Sequence, residues 1–545
     1  MNSNVDYSKY WTKTEGETAV DILDKWVDQK PDETVIVYGD RRISWKELDL
    51  LTKNLAANLL SLGMKKGDRL GIWGPNHPEV LIAWFAAVRV GIVAVPINSR
   101  YRKMELEYFV KDSGCRILVT VDEFDNFNFS KAAKEIKEKT STLEHIIVYG
   151  KDTFVKEPFL SFDSLVNTAT TDLSKMESNR PESSDELLIL YTSGTTGVPK
   201  GVVHSHDSLL CNSKAFIKEV WFLTQKDVLL LAAPWAHMTG IEIFFNVAFL
   251  LGQKIVLMET YDPFLFIDLI EKEKVTWFTG VPTMYMLPII KMPELSNRDL
   301  SSFKFGITVG YYAPPEQMIL FKKTYDICLL QLMGSSEAGG VLMTRRDDPE
   351  EIAYNTIGKT LSNVELIICD EKGDELPRGE VGELWFKGPS VFKFYWNKPD
   401  LTKKEKDGQG FWHSGDMARF IDELGNIQLV SRKKEIIMRG GFNIYPGEIE
   451  AFVMNMPEVN TAVLVSYPDN VLGEKTFLNI VVKDGIFLSE EDVRSRFSEN
   501  LANYKKPDII KIQSLPLPLL PSGKADKLTV RMNLLKDMGI EDRAL

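Results

Sequence analysis

The sequence predicts an α/β protein: a large N-terminal domain of parallel α/β sheets carrying a small β-barrel-like subdomain, followed by a small α+β domain. Three observations lead there. In the first half, short apolar runs rich in β-branched residues alternate with longer amphipathic runs, the pattern of strand–helix–strand units on a parallel sheet. From about 355 to 430 the apolar runs are separated by turn sequences such as "EKGDELPRGEVG" and "DELGN", as in antiparallel β structure. Beyond 431 helix and strand patterns mix again over a stretch the size of a separate small domain.

The elements follow in order. "ETVIVYG", "RLGIWG", "IVAVPI", "RILVTV" and "HIIVYG" read as buried strands. Between them "SWKELDLLTKNLAANLLSLG" and "HPEVLIAWFAAVRVG" read as helices, and Ser44 with Glu47 has capping-box spacing at the start of the first. "ELLILYT" (186–192) and "GVVHS" are strands on either side of a polar loop, and "DSLLCNSKAFIKEV" is a helix opening on its capping residue. "VELIICD", "GELWFKG" and "IQLVS" supply the antiparallel region. "YPGEIEAFVMNM" and "SEEDVRSRFSENL" read as helices, "TAVLVSYP" and "FLNIVVKDG" as strands. A basic, non-periodic link, "SRKKEIIMRGG" (431–441), separates two compact patterns. The expected domains are therefore 1–431, with the β subdomain at about 355–430, and 435–545.

Composition narrows the function. The chain has 545 residues, with 65 basic against 77 acidic and a net charge of −12. No Lys/Arg stripe marks a nucleic-acid face. The four cysteines, Cys115, Cys211, Cys328 and Cys369, are dispersed and form no CxxC pair, so they read as reduced core thiols. His204 and His206 are the only close histidine pair and have no HExxH context. The polar N-terminus and the short apolar stretch "IEIFFNVAFLLG", which contains Glu242, predict a cytoplasmic protein with no transmembrane segment.

The chemistry centres on "YTSGTTGVPKGVV" (191–203). It follows a strand, where α/β folds place ligands. Gly194 and Gly197 allow close backbone approach, Ser193, Thr195 and Thr196 can donate to phosphate oxygens, and Lys200 adds charge. A Walker loop is excluded by spacing, because Pro199 stands where the second glycine is required. On composition alone the loop fits a phosphate cradle and a solvated turn equally.

"YTSGTTGVPKGVVHSH" closely resembles the signature loop of the adenylate-forming (AMP-binding) superfamily, and the companions that follow point to its acyl-CoA synthetase branch. "APWAHMTG" (233–240), "TVGYYAPPE" (308–316), "LMGSSEAG" (332–339), "GFWHSGDMARF" (410–420), "SRKKEIIMRGGFNIYPGEIE" (431–450) and "LPLLPSGKADKLTVR" (517–531) resemble its other motifs, in order. The resemblance implies an ATP/AMP site formed by Thr192, Ser193, Gly194, Thr195, Thr196, Gly197, Lys200, Gly310, Tyr311, Tyr312, Met333, Gly334, Ser335, Ser336, Glu337, Asp416, Arg432 and Lys524. Thr195 and Glu337 would hold Mg²⁺, and Asp416 would take the ribose hydroxyls. Trp235, His237, Met238, Gly240, Tyr311 and Met333 would line the acyl pocket; Gly440, Gly441 and Phe442 would meet coenzyme A. The resemblance further implies a mobile C-terminal domain turning on a hinge at 432–434, with Lys434 its central residue, and Lys524, Glu337, Thr195 and His237 as catalytic residues. The sequence departs from the family's usual motifs at Tyr311, Tyr312, Met333 and Phe442.

The implied reaction has two halves. A carboxylic acid, with medium-chain, alicyclic and aromatic acids favoured, is joined to AMP at the expense of ATP, with release of pyrophosphate. The acyl group then passes to the thiol of coenzyme A. The expected partners are these small molecules only, with no tightly bound cofactor and a monomeric or homodimeric chain. Three alternatives stand beside this reading: a carrier-protein acceptor, a luciferase-like oxidase, and a non-catalytic nucleotide sensor. A serine hydrolase is disfavoured because "GSSEAG" misses the G-x-S-x-G spacing by one place.

Overall fold

The computed structural model describes residues 16–540 apart from 151–157, 169–172, 193–198, 243–246, 311, 312, 314, 371, 433–436, 445 and 519–524. The chain divides into two compact units. Arg432–Leu545 forms the second, together with Arg100–Glu105 and Thr192–Lys200; the rest of the chain forms the first.

The first unit is built on two large sheets. One has nine strands, and its central run is parallel: Thr34–Tyr38, Lys254–Leu257, Val228–Leu231, Trp277–Gly280, Phe305–Thr308 and Cys328–Ser335. Antiparallel strands flank it, Arg41–Ser44 at one edge and Gly339–Met343 with Lys359–Thr360 at the other. The second sheet has seven strands, and Val93–Asn98, Arg69–Gly74, Ile117–Val121, His145–Tyr149 and Phe159–Ser161 run parallel in that order. Strands such as Ile117–Val121 are buried at every position. That explains their continuous apolar reading, since a parallel sheet is covered on both faces.

Helices cover these sheets. Pro78–Arg89 has Pro at its first turn and every residue but Glu79 buried, as expected of a helix apolar nearly all round. Trp45–Ser61 begins where the sequence indicates, with the Ser44 hydroxyl accepting from the Glu47 amide at 3.2 Å. Only this half of the capping box is made. The helix after the polar loop, His206–Glu219, is capped two residues earlier than its sequence signal, Asp207. Ser205 caps it in a reciprocal box with Ser208, and Asp207 lies inside the first turn.

Glu365–Cys369, Gly382–Lys387, Trp412–Phe420 and Ile427–Arg432 form a four-stranded sheet whose first three strands pair antiparallel. Its core includes Leu384, Phe386, Trp412 and Ile427. The second unit carries Phe442–Ile444, Ile437–Arg439, Gly473–Val482 and Val459–Asp469 in one antiparallel sheet, with Ile509–Gln513 parallel on the long central strand. The helices Pro446–Met454 and Glu490–Asn500 contribute Ile449, Val453, Val493 and Phe497 to its core. All four cysteines are free thiols, and burial pushes Cys115, Cys211 and Cys369 up to about 11. Among the described residues no helix is long and apolar enough to cross a membrane.

Candidate active site

The strand Glu186–Thr192 ends at the polar loop. The Thr192 hydroxyl is buried and has no hydrogen-bond partner among the described residues. A buried hydroxyl with no internal acceptor or donor is a group left for a ligand or water. Lys200 opens the strand Lys200–Ser205 and is buried. Ser193, Gly194, Thr195, Thr196 and Gly197 lie outside the described residues.

Glu337 is closely held. The strand Cys328–Ser335 bulges between Met333 and Gly334 before the chain turns into Gly339–Met343. Gly334 is required there, since a Cβ would stand 2.5 Å from the Gly339 carbonyl oxygen. Inside the turn the Ser335 hydroxyl accepts from the Ala338 amide at 3.1 Å. Met333 is half-buried and packs on the core of the four-stranded sheet. Glu337 itself is buried. Its backbone carbonyl accepts from the Phe392 amide at 2.6 Å, and its Oε1 accepts from the Tyr395 hydroxyl at 3.0 Å. The turn is tied from the other side by His204, whose Nε2 bonds to the Ser336 carbonyl at 2.7 Å. A carbonyl only accepts, so this imidazole carries its proton on Nε2 and turns Nδ1 to the Ser208 hydroxyl at 3.1 Å. Burial pushes His204 down to about 4, which keeps it neutral.

The His237 segment stands on a rigid base. Asn76 donates to the carbonyls of Ala233 and Met258 and accepts from the Trp235 amide. The Trp235 indole is enclosed, donates to the Gly74 carbonyl at 3.0 Å and meets Trp84 edge-on. It braces the segment from beneath. Met238 is also buried. His237 caps a short helix, Met238–Ile241, and its Nδ1 accepts from the Thr239 amide. Its ring is solvent-accessible, yet enough protein surrounds it to lower its pKa by desolvation. Gly240 permits a close crossing, because a Cβ there would lie 2.3 Å from the Pro234 carbonyl oxygen. Two residues on, Glu242 is buried and accepts from the Gly340 amide through both oxygens, and burial raises it to about 7.

Other expected residues are placed as follows. Gly310 lies two residues beyond the strand Phe305–Thr308, with φ +95°, while Tyr311 and Tyr312 lie outside the described residues. Asp416 is buried on the strand Trp412–Phe420, just after Gly415 at φ +74°. Its amide is held by the Ser414 hydroxyl, and the Gly415 amide by Glu383. Arg432 ends the strand Ile427–Arg432. In the second unit Gly440 and Gly441 turn with φ +56° and +81°, and Phe442 stacks on Tyr504 with the Arg100 guanidinium over its ring. Lys434 and Lys524 lie outside the described residues.

The structure thus gathers Glu337, Ser335, Ser336 and Met333 on one strand end and turn. It also brings in three side chains that sequence reasoning passed over in this role: His204, Glu242 and Tyr395. Tyr395 stands in "KFYWNKP", an aromatic run with no spacing signal, and its partner Glu337 is 58 positions away. Glu337 also fits a hard cation. It offers carboxylate oxygen, which Mg²⁺ takes together with phosphate oxygens and water.

Comparison with known proteins shows the family. Residues 23–396 match the family model described as AMP-binding enzyme, and residues 448–524 match the AMP-binding enzyme C-terminal domain. A putative acyl-CoA synthetase, YngI of Bacillus subtilis, is 30% identical over 94% of this chain and 96% of its own length. The medium-chain fatty-acid–CoA ligase of Escherichia coli is 29% identical over 90% of this chain and 86% of its own. The solved structure of the amide bond synthetase McbA from Marinactinospora thermotolerans superposes with a TM-score of 0.83 over 95% of this chain and 99% of its own, at 23% identity. At that identity the likeness establishes the fold.

Proposed function

The chain belongs to the AMP-binding enzyme family, and from that premise we propose that it is an ATP-dependent carboxylate–CoA ligase. It activates a carboxylic acid as the acyl-adenylate and passes the acyl group to coenzyme A. The observations that carry this reading are the presence of both family regions in order along the chain and, within the first of them, a buried acid, Glu337, fixed through backbone and side chain alike. The names of the relatives point the same way: one is an acyl-CoA synthetase and another a medium-chain fatty-acid–CoA ligase.

In the first half-reaction a carboxylate oxygen attacks the α-phosphorus of ATP. The bond to the bridging oxygen of the β-phosphate breaks, and pyrophosphate leaves. Two anions must meet, so placing positive charge and donors is the central task. Lys200 and the hydroxyls of Thr192 to Thr196 hold the departing phosphates, and Asp416 holds the ribose. Lys524 bridges the carboxylate and the α-phosphate. Mg²⁺, when bound at Glu337 and Thr195, supplies charge neutralisation of the phosphates. Positioning carries such a transfer more than covalent chemistry does. In the second half-reaction the thiol sulfur of coenzyme A attacks the acyl carbon, AMP leaves with the bonding pair, and the thiol proton is released. Gly440 and Gly441 give the pantetheine arm a backbone surface without side chains. The acid is apolar beyond its carboxyl group, of medium-chain, alicyclic or aromatic type. Support for this comes from Met238, Met333 and His237, and from the medium-chain relative.

The test is a panel of such acids with ATP, Mg²⁺ and coenzyme A, reading AMP and pyrophosphate. Lys524→Ala is expected to abolish adenylation while sparing thioester formation from supplied acyl-adenylate. Gly441→Leu, at a positive φ, is expected to do the reverse. ADP as the product, or no nucleotide turnover with any acid, overturns the ligase reading; equal loss of both half-reactions in both variants overturns the division of labour.

A further inference from the structure

The acid of the "GSSEAG" turn is held by a segment that lies outside every matched motif. Phe392 and Tyr395 grip Glu337 twice, at its backbone carbonyl and at its Oε1. The segment is itself fixed. The Lys393 amide donates to the Val203 carbonyl, the Val203 amide to the Phe394 carbonyl, and the Trp396 amide to the Gly201 carbonyl at 2.7 Å. Residues 393–396 therefore lie antiparallel along the strand Lys200–Ser205, which leaves the hydroxyl-rich loop, with Val202 opposite Tyr395. The Tyr395 amide also donates to the Thr402 hydroxyl, and Lys406 donates to the Phe392 carbonyl. The Tyr395 ring is buried to 1% exposure and packs on Phe392.

The tyrosine hydroxyl faces a second carboxylate, Glu405, at 2.7 Å. A phenol has one proton to donate. Two carboxylates therefore compete for it, with Glu405 half-buried and Glu337 buried. We propose that Tyr395 is a positioning residue for the metal-binding acid. It occupies one oxygen of Glu337, ties that carboxylate to the strand leaving the phosphate loop, and so fixes where a divalent cation bridges protein and nucleotide. Glu405 is the counterweight that keeps the hydroxyl pointed into the gap. The inference rests on the reading of Glu337 as a metal-binding acid.

The test measures binding of α,β-methylene-ATP, which the enzyme cannot cleave at the α–β bond, by calorimetry on the full chain. The quantity read is the ratio of its Kd without and with Mg²⁺, alongside the Kd of AMP. A wild-type protein in which Mg²⁺ leaves binding unchanged overturns the reading of Glu337, and the inference with it. Given tightening in the wild type, Tyr395→Phe is expected to reduce it about tenfold, the size of one hydrogen bond to a charged group. AMP binding stays within about twofold, since AMP carries no β- or γ-phosphate for the metal to bridge. In a Glu337→Gln background the same tyrosine substitution adds less than about twofold, because the partner it positions is already gone. A Mg²⁺ ratio unchanged in Tyr395→Phe, an equal loss for AMP, or an undiminished effect in the Glu337→Gln background each overturns the assignment. Should Tyr395→Phe fail to fold, Glu405→Gln at its half-buried position gives the second reading. It keeps a polar partner for the tyrosine and is expected to stay within about threefold of wild type; a tenfold loss there would make Glu405 the positioning group instead.

Discussion

Lys505→Met tests the energetics of the second unit. Lys505 is 2% exposed and its ammonium pairs with Glu105 at 2.8 Å and Glu448 at 2.7 Å, both buried. The rings of Tyr101 and Tyr504 stand 5.2 and 5.8 Å from the same nitrogen, and the buried Glu448 Oε2 has no hydrogen-bond partner among the described residues. Methionine keeps the volume and removes the charge, so two buried carboxylates lose their cation. Removing one partner from a buried pair costs about 3–5 kcal/mol. At about 1.4 kcal/mol per tenfold, that is roughly a hundredfold to a few thousandfold faster opening.

The effect has a definite pH dependence. Burial already pushes Glu105 above the ordinary carboxylate range, against the pull of Lys505. Without that pull its folded-state pKa rises further, while the unfolded value stays at about 4.3. The folded variant then holds protons that the unfolded chain releases, and its stability falls as pH rises from the unfolded value through the folded one. Lys505 itself is raised by its carboxylates in the wild type, so its contribution persists up to alkaline pH. The deficit is therefore smaller near pH 5 than near pH 8. The second unit contains no tryptophan, so amide exchange in the strands Val459–Asp469 and Gly473–Val482 is the assay. A deficit equal at both pH values, or below about tenfold at pH 8, would refute the reasoning.

Two further outcomes are expected. Gly240→Ala drives a methyl into the Pro234 carbonyl and to 2.8 Å from the Trp235 Cα; backbone cannot step aside cheaply, and a loss of about 1–3 kcal/mol follows, read as a lower denaturation midpoint together with a raised KM for the acid. An unchanged midpoint would show that the crossing is not tight. His204 and His206 are both held down to about 4 by burial, below the unfolded value of about 6.5. The unfolded state therefore binds more protons between those values, and stability present above pH 6.5 is lost as pH falls toward 4, by about 3 kcal/mol for each histidine. Replacing both with glutamine should flatten stability across that range in denaturant titrations, and an unaltered slope would mean that neither ring is buried neutral.

Much of the fold class was legible because its signals are local. A strand buried on both faces must read as a continuous apolar run, and "RILVTV" does. A helix N-terminus must satisfy its free amides, so hydroxyl residues mark it; even there the sequence located the cap of His206–Glu219 two residues late, since Ser205 and Asp207 can both cap and only the ladder of the preceding strand chooses between them. The motif residues were legible through resemblance, because close packing of backbone around a turn demands particular small residues, as Gly334 and Gly240 illustrate.

The sequence by itself determined the order of elements, the α/β class and the family, since periodicity, turn chemistry and motif spacing are properties of neighbours along the chain. Tertiary structure decided which distant groups act on those motifs. Trp235 stands near His237 in sequence, yet its ring is turned into the core by Gly74 and Trp84. Phe442 departs from the family's usual motif, and the fold gives it partners distant in sequence, Tyr504 stacked on its ring and the Arg100 guanidinium over it. Tyr395 reaches Glu337 because its segment is registered on the strand Lys200–Ser205 and its neighbour Phe392 donates to the Glu337 carbonyl. Hydrogen bonds and ion pairs of this kind form between groups made neighbours by sheet pairing, and no spacing along the chain encodes them.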